Sequence, residues 1–449
     1  MPITSLTNYN QTNMSHTTTT NFQVSDTSKN SKGYLFPLIL VTSLFFFWGF
    51  VHNLDPVLIP HLRKAFQLNV FESTLVDSSV FIAYFLLALP AGYIMRKYGY
   101  KSGIILGLIL FAVGCLLFIP AANTAQYIFF LGALFIIACG LTFLETAANP
   151  YVTVLGPPET ATQRLNFSQS FNGLAAFLAP VIGGKLIFTE AKYTDAQLAK
   201  LLPLEKQAYV LEEASTVKAP YLILGLIIIV VAILFIFTKL PDIKEEESAN
   251  EKSSFGHVLG HSHLRWAIIG QFFYVGAQVC VLSLFISFVT TSAGITQDQA
   301  KWYAGAAGLA FMLGRFAGTF FMRFVAPHRL LMLYALISAV LTLVSIFSSG
   351  MITVYALIGV AFFMSIMFPT IFSLGIAGLG KDTKLGSSLI VMSIVGGAFL
   401  PPILGLISDA THNIQYGYLV PFVCFLVVFY FGWKGWKPNH IEKEISLEA

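Results

Sequence analysis

Apolar residues in this chain come in long runs separated by short polar breaks, rather than as amphipathic stripes or alternating strands. A bilayer-crossing helix needs about 20 mainly apolar residues, because it rises about 1.5 Å per residue through a hydrocarbon core about 30 Å thick. Such runs cover 34–60, 73–95, 102–119, 126–154, 166–188 and 219–238, then 265–291, 301–324, 330–348, 352–378, 386–409 and 416–437. The pattern predicts an all-α integral membrane protein with twelve transmembrane helices. Residues 1–33, rich in Thr, Asn and Ser, read as a disordered cytoplasmic tail, and the first run as an uncleaved helix. Residues 239–264, with Glu245, Glu246 and Glu247, read as a solvated linker between halves 34–238 and 265–437, with a second tail over 438–449. The mixed-charge stretch from Thr189 to Lys218 is expected to form a partly helical cap on the outer face.

Composition narrows the class. Of 449 residues, 56% are hydrophobic and 11% charged, against about 25% charged in an average soluble domain. That excludes a soluble enzyme. The net charge of +4 comes from scattered basic residues, so no nucleic-acid partner is expected. Cys115, Cys139, Cys280 and Cys424 all lie in apolar runs and read as small membrane-core residues, not as disulfides or metal ligands. No nucleophile–base pair or metal-ligand cluster is legible in the helices, so neither enzymatic chemistry nor a metal is expected. Most of the 26 Lys and Arg residues fall on one side of the runs, among them Arg323, Arg329, Lys381 and Lys384. By the positive-inside bias that side is cytoplasmic and holds both termini.

The chain also repeats. Ala91-Gly92-Tyr-Ile-Met95-Arg96 after the second run echoes Ala317-Gly318-Thr-Phe-Phe-Met322-Arg323 after the eighth. Phe177-Leu178-Ala179-Pro180-Val-Ile-Gly183 in the fifth echoes Phe399-Leu400-Pro401-Pro402-Ile-Leu-Gly405 in the eleventh. Both echoes lay the first six helices over the last six. Two pseudo-symmetric six-helix halves, related by an axis along the membrane normal, resemble the architecture of the major facilitator superfamily.

Polar groups inside apolar runs are the candidates for function. Glu145 is an acid in mid-helix, where a charge costs at least about 2.5–3.5 kcal/mol. Asn149 lies four residues on, on the same face, and Pro150 removes the amide that would have bonded the Thr146 carbonyl. Trp48, His52 and Asp55 share one face of the first helix just before Pro56 and Pro60 interrupt it. Asp55 is the better candidate for titration, and Trp48 could stack on a sugar ring or simply pack. Asn166, Gln169 and Asn172 line one side of the fifth helix, and Tyr274 and Gln278 one side of the seventh. Amides suit hydroxyl-rich ligands, since each offers a donor and an acceptor; interhelical bonding is the equal alternative. Arg315 is a deep cation that needs an acid or carbonyl partner, which favours a structural or gating role. The loop Gly92-x-x-x-Arg96-Lys97-x-Gly99-x-Lys101 resembles the superfamily's signature between helices 2 and 3, with Arg96 at its usual aspartate, and implies gating.

Five longer stretches carry a closer resemblance: Leu144-Glu-Thr-Ala-Ala-Asn-Pro150, Arg164-Leu-Asn-Phe-Ser-Gln-Ser-Phe-Asn172, Gln271-Phe-Phe-Tyr-Val-Gly-Ala-Gln278, Phe368-Pro-Thr-Ile-Phe-Ser-Leu-Gly375 and Lys381-Asp-Thr-Lys-Leu-Gly-Ser-Ser388. They are similar to the fucose/galactose/glucose:proton symporters of the superfamily. The resemblance implies proton-coupled monosaccharide uptake by alternating access, of L-fucose or a related hexose, across a bacterial inner membrane. It implies a monomer driven by the proton gradient, with sugar, protons and lipid as partners and no cofactor. It assigns Glu145 as the acid linking proton to sugar, and Trp48, Asn53, Gln169 and Asn172 as cavity positions. The family's helix-1 aspartate aligns with Pro56, one residue past Asp55; its helix-7 tryptophan and helix-10 tyrosine become Leu282 and Phe368. Alternatives are a drug:proton antiporter, on the near-match Ala175-x-x-x-Ala179-Pro180-x-x-Gly183-Gly184, and a non-transporting sugar sensor on the same fold.

Overall fold

The computed structural model describes residues 31–54, 58, 61–62, 65–68, 70–187, 197, 202–241 and 255–438. Asp55, Pro56 and Pro60, most of both expected tails, and the acidic part of the linker lie outside them. The chain is helical throughout its described parts, and apolar burial forms one continuous core across both halves. All four cysteines are free and buried.

In the first half α1 is Ser31–His52, α4 Tyr127–Val154, α5 Ala161–Ile187 and α6 Lys218–Phe237. Between α1 and α4 a continuous run, Val70–Thr124, is interrupted at Gly99 with φ 83° and ψ 168°. A side chain would resist that backbone, so glycine divides the run into α2 (70–98) and α3 (100–124). In the second half α7 is Ser262–Ser283, continuing past Leu284 as Phe285–Ala293. Next come α8 (Gln297–Phe321) and α9 (Pro327–Phe347). The segment α10 is Met351–Met364 followed by Met367–Ile376. In α11, Thr383–Met392 is followed by Gly396–Thr411, and α12 (Leu419–Tyr430) closes the chain with a π-helical turn, Phe431–Gly435.

Among the described residues, 9 helices are long and apolar enough by length and composition to cross a membrane. The remaining spans are α1, whose apolar stretch is short, the second member of the α2–α3 run, and α5. The last falls short because Gln163, Arg164, Asn166, Gln169, Ser170 and Asn172 dilute its hydropathy. Two helices lie outside the spans. Pro203–Thr216 occupies the expected cap, where the His61 ring meets the Glu213 carbonyl at 3.0 Å. Phe255–Gly260 leads into α7.

Proline removes one helical hydrogen bond in α4 and one in α10. Pro150 has no amide for the Thr146 carbonyl, and Pro369 has none for that of Ser365. Both carbonyls find donors on other helices: Ser387 Oγ donates to Thr146 at 2.9 Å, and Arg315 Nε to Ser365 at 3.0 Å. The two proline sites fall in the fourth span of each half and free one backbone acceptor each.

Candidate functional site: a cavity between the halves

Between the halves lies an open cavity of about 110 Å³, several times the roughly 10–15 Å³ that one water needs. The first half contributes Trp48, His52, Phe81, Tyr84, Glu145, Gln169 and Asn172. The second contributes Val275, Gln278, Val279, Arg315, Phe368 and Ile394. Aromatic and aliphatic walls with a few convergent polar groups are the usual make-up of a small-molecule site.

The polar groups form a connected set. Tyr84 Oη donates to Glu145 Oε1 at 2.6 Å. Gln169 Nε2 donates to Asn149 Oδ1 at 3.1 Å. Arg315 reaches across from the second half, donating from Nη1 to the Gln169 carbonyl at 2.6 Å and to Asn172 Oδ1 at 3.3 Å. Its guanidinium also lies 4.6 Å from the Phe311 ring centre. Arg315 thus meets the need for partners through neutral carbonyl and amide oxygens, which leaves Glu145 hydrogen-bonded by a phenol rather than locked in an ion pair. A carboxyl group and a guanidinium face one cavity without touching. Taking up a proton at Glu145 would change the cavity's net charge by one.

The expected site residues divide into three groups. Trp48, Glu145, Gln169, Asn172, Gln278 and Arg315 line the cavity, and so does His52. Asn149 and Tyr274 lie behind its wall: both are fully buried, Asn149 under Gln169 and Tyr274 edge-on to Phe368 with ring centres 6.4 Å apart. Asn53 turns its amide back onto the Gly49 carbonyl at 2.7 Å and takes no part in the lining. Asp55 lies outside the described residues. Tyr84 was not legible as the partner of Glu145, because the two meet only through packing of α2 on α4. Phe81 and Ile394 likewise read as ordinary core. The Pro369 break carried a usable signal, since it repeats the Pro150 logic in the second half.

One end of the cavity is shut. At the basic end, Thr162 and Ser373 hydroxyls meet at 2.8 Å, Asn166 Nδ2 donates to Thr370 Oγ1 at 3.2 Å, and Ser387 bonds Thr146 as described. All three cross between halves. Gly92 lies against Ser388, where an added Cβ would overlap the serine Oγ. Only glycine permits that approach of α2 to α11. The other residues of this motif, expected as a loop, lie in the last turns of α2 and the first of α3, with only Gly99 non-helical; Lys101 Nζ donates to the carbonyls of Ile236 and Thr238 at 2.9 and 3.0 Å, neutralising the C-terminal end of α6. Lys97 Nζ lies 5.1 Å from the Tyr98 ring centre, and Arg96 is exposed.

A helical protein in two six-helix halves around a central cavity, shut at one end, has the build of an alternating-access transporter. Residues 38–383 match the model of the Major Facilitator Superfamily, and the chain belongs to that superfamily and, within it, to the family of fucose:proton and glucose/galactose transporters. It is 42% identical over 408 residues to the L-fucose-proton symporter of Escherichia coli (strain K12), covering 89% of this chain and 93% of the relative. It is 41% identical over 420 residues to a glucose/galactose transporter of Brucella abortus biovar 1 (strain 9-941), covering 93% and 98%. A crystal structure of the superfamily transporter FucP in the outward conformation superposes with TM-score 0.83 at 42% identity, covering 90% of this chain and 99% of that one. A proton:xylose symporter at 13% identity and TM-score 0.70 shares the fold.

Proposed function

We propose that the protein is a proton-coupled monosaccharide symporter of a bacterial inner membrane, taking L-fucose or a related hexose by alternating access. The observation that carries this reading is Glu145, a carboxyl group facing a cavity between two halves that are joined at one end. The names of the relatives support the substrate class, and the superposition with an outward-conformation structure supports the state. The excess of Lys and Arg at the shut end supports its assignment as cytoplasmic, with both termini there and the cavity open to the outside.

In this cycle a sugar enters from outside and sets a ring face against Trp48, Phe81 or Phe368, while its hydroxyls exchange hydrogen bonds with Gln169, Asn172 and Gln278. A proton on Glu145 removes the charge that would otherwise have to be enclosed with the sugar when the outer side closes. Rocking of the halves then breaks the bonds of Thr162, Asn166 and Ser387 at the cytoplasmic end. Release of sugar and proton inside returns Glu145 to the carboxylate. Arg315, bound to the first half at the cavity floor, acts as a hinge contact whose bonds must rearrange in each cycle. Uptake of labelled fucose, galactose, glucose and N-acetylglucosamine into proteoliposomes, with and without an inward proton gradient, tests the proposal. Accumulation of at least one of them that collapses when the gradient is dissipated supports it; gradient-independent equilibration of all four refutes it.

A further inference from the structure

A cluster of potential ligands lies apart from the transport cavity. The short helix Phe255–Gly260 and the residue that precedes α7 bring His257 and His261 against the turn Gly380–Asp382, between α10 and α11. Asp382 is 1% exposed. Its Oδ2 lies 2.7 Å from His257 Nδ1 and 3.4 Å from His261 Nε2. The ligand atoms of all three residues lie within 4.8 Å of one another. The His257 side chain is 59% exposed and that of His261 24%, so the group is backed by a buried carboxylate and open to water in front.

We propose that His257, His261 and Asp382 form a binding site for a divalent transition-metal ion of the zinc class, with water completing the coordination. The donor set decides the class. Two neutral imidazoles and one carboxylate suit Zn²⁺, Co²⁺ or Ni²⁺, whereas Ca²⁺ and Mg²⁺ take sets made of oxygen. Tetrahedral zinc with ligands at about 2.0–2.2 Å sets ligand atoms about 3.3 Å apart; the 3.4 Å between His261 and Asp382 matches this, and the 2.7 Å between His257 and Asp382 would open slightly to admit the ion. A simple His–Asp hydrogen bond would account for the 2.7 Å contact; it gives no reason for a second imidazole to converge on the same oxygen. The buried carboxylate supplies the fixed ligand, and the exposed side of His257 supplies the entry path.

The site joins the linker to the loop that leads into the gate. Ser387 and Ser388, which pack against the first half, follow about one turn further along α11. Lys384, between them and the site, places its ammonium 5.3 Å from the Tyr100 ring centre in the first half. The cluster is not legible in chain order, because its two histidines and its aspartate are separated by most of the second half.

The test is metal titration of the full-length protein, purified through a histidine-free tag and stripped with chelator. Isothermal titration with ZnCl₂ and optical titration with CoCl₂ are compared across wild type, His257→Ala and His261→Ala. The expected result is one high-affinity ion per wild-type chain, weakened about 100-fold or more in each variant, because even loss of a residue behind a ligand costs about 10–100-fold. His257 is largely exposed and outside the transport cavity, so its variant should fold and retain metal-free uptake. Absence of stoichiometric Zn²⁺ binding by wild type, equal affinity in either variant, or Mg²⁺ binding as tight as Zn²⁺ would each overturn the proposal.

Discussion

Replacing Ser387 by Ala isolates a single bond that exists only while the basic end of the cavity is shut. The serine is fully buried and donates to the Thr146 carbonyl, which Pro150 has deprived of its helical partner. In the shut state the variant leaves that carbonyl without its donor; once the halves separate, water supplies one. The loss therefore falls on one state alone. Hydrogen bonds between membrane helices average about 0.6 kcal/mol, with a maximum near 1.7. At about 1.4 kcal/mol per factor of ten, the ratio of shut to open should fall about 3- to 16-fold. A cysteine in place of Ser388 reports on the opening: the serine is buried against Gly92, and its own bond stays within α11, to the Lys384 carbonyl. The four native cysteines are buried and give little background. In inside-out vesicles, labelling of Ser388→Cys by an impermeant maleimide should accelerate by that factor when Ser387→Ala is added. Unchanged or slower labelling would refute the assignment of this bond to the shut gate.

Other consequences follow from the same contacts. Gly92→Ala should accelerate labelling of the reporter more than Ser387→Ala does, since its Cβ must displace α11 and overpacking costs about 1–3 kcal/mol; slower labelling would contradict the close approach. Arg315→Lys keeps the charge but cannot reproduce a fork that serves Ser365, Gln169 and Asn172 together. Losing one charge-assisted bond of about 1.5–3 kcal/mol should lower initial uptake about tenfold or more, with normal membrane insertion; wild-type uptake would exclude the bridging role. Lys101→Ala exposes the last carbonyls of α6, worth about 0.3–1 kcal/mol. The detergent-solubilised variant should melt slightly earlier, with uptake nearly unchanged.

Much of the architecture was legible because a bilayer enforces it: long apolar runs, basic loops on one side and an internal echo leave few alternatives. Glu145 stood out because an acid in such a run is costly, and Gln169 and Asn172 because helical spacing puts them on one side. Positions behind the wall were harder. Asn149 shares a face with Glu145, yet it is spent on Gln169, and Tyr274 shares one with Gln278 but lies behind Phe368. A difference of a few tens of degrees around a helix separates cavity from core, and spacing alone cannot resolve it. Tyr84 was beyond reach for a different reason. Its bond to Glu145 depends on the register of two helices packed side by side, which no local pattern encodes. The His257–His261–Asp382 cluster is of the same kind.

The most direct measurement of the central claim is proton movement driven by sugar. Proteoliposomes are loaded with a pH-sensitive dye, no gradient is imposed, and an accumulated sugar from the uptake panel is added outside. Symport through Glu145 predicts acidification of the lumen that depends on the sugar, is absent with Glu145→Gln, and is accompanied in that variant by loss of uphill accumulation. Luminal alkalinisation, sugar entry with no proton movement, or undiminished uphill uptake by Glu145→Gln would contradict it.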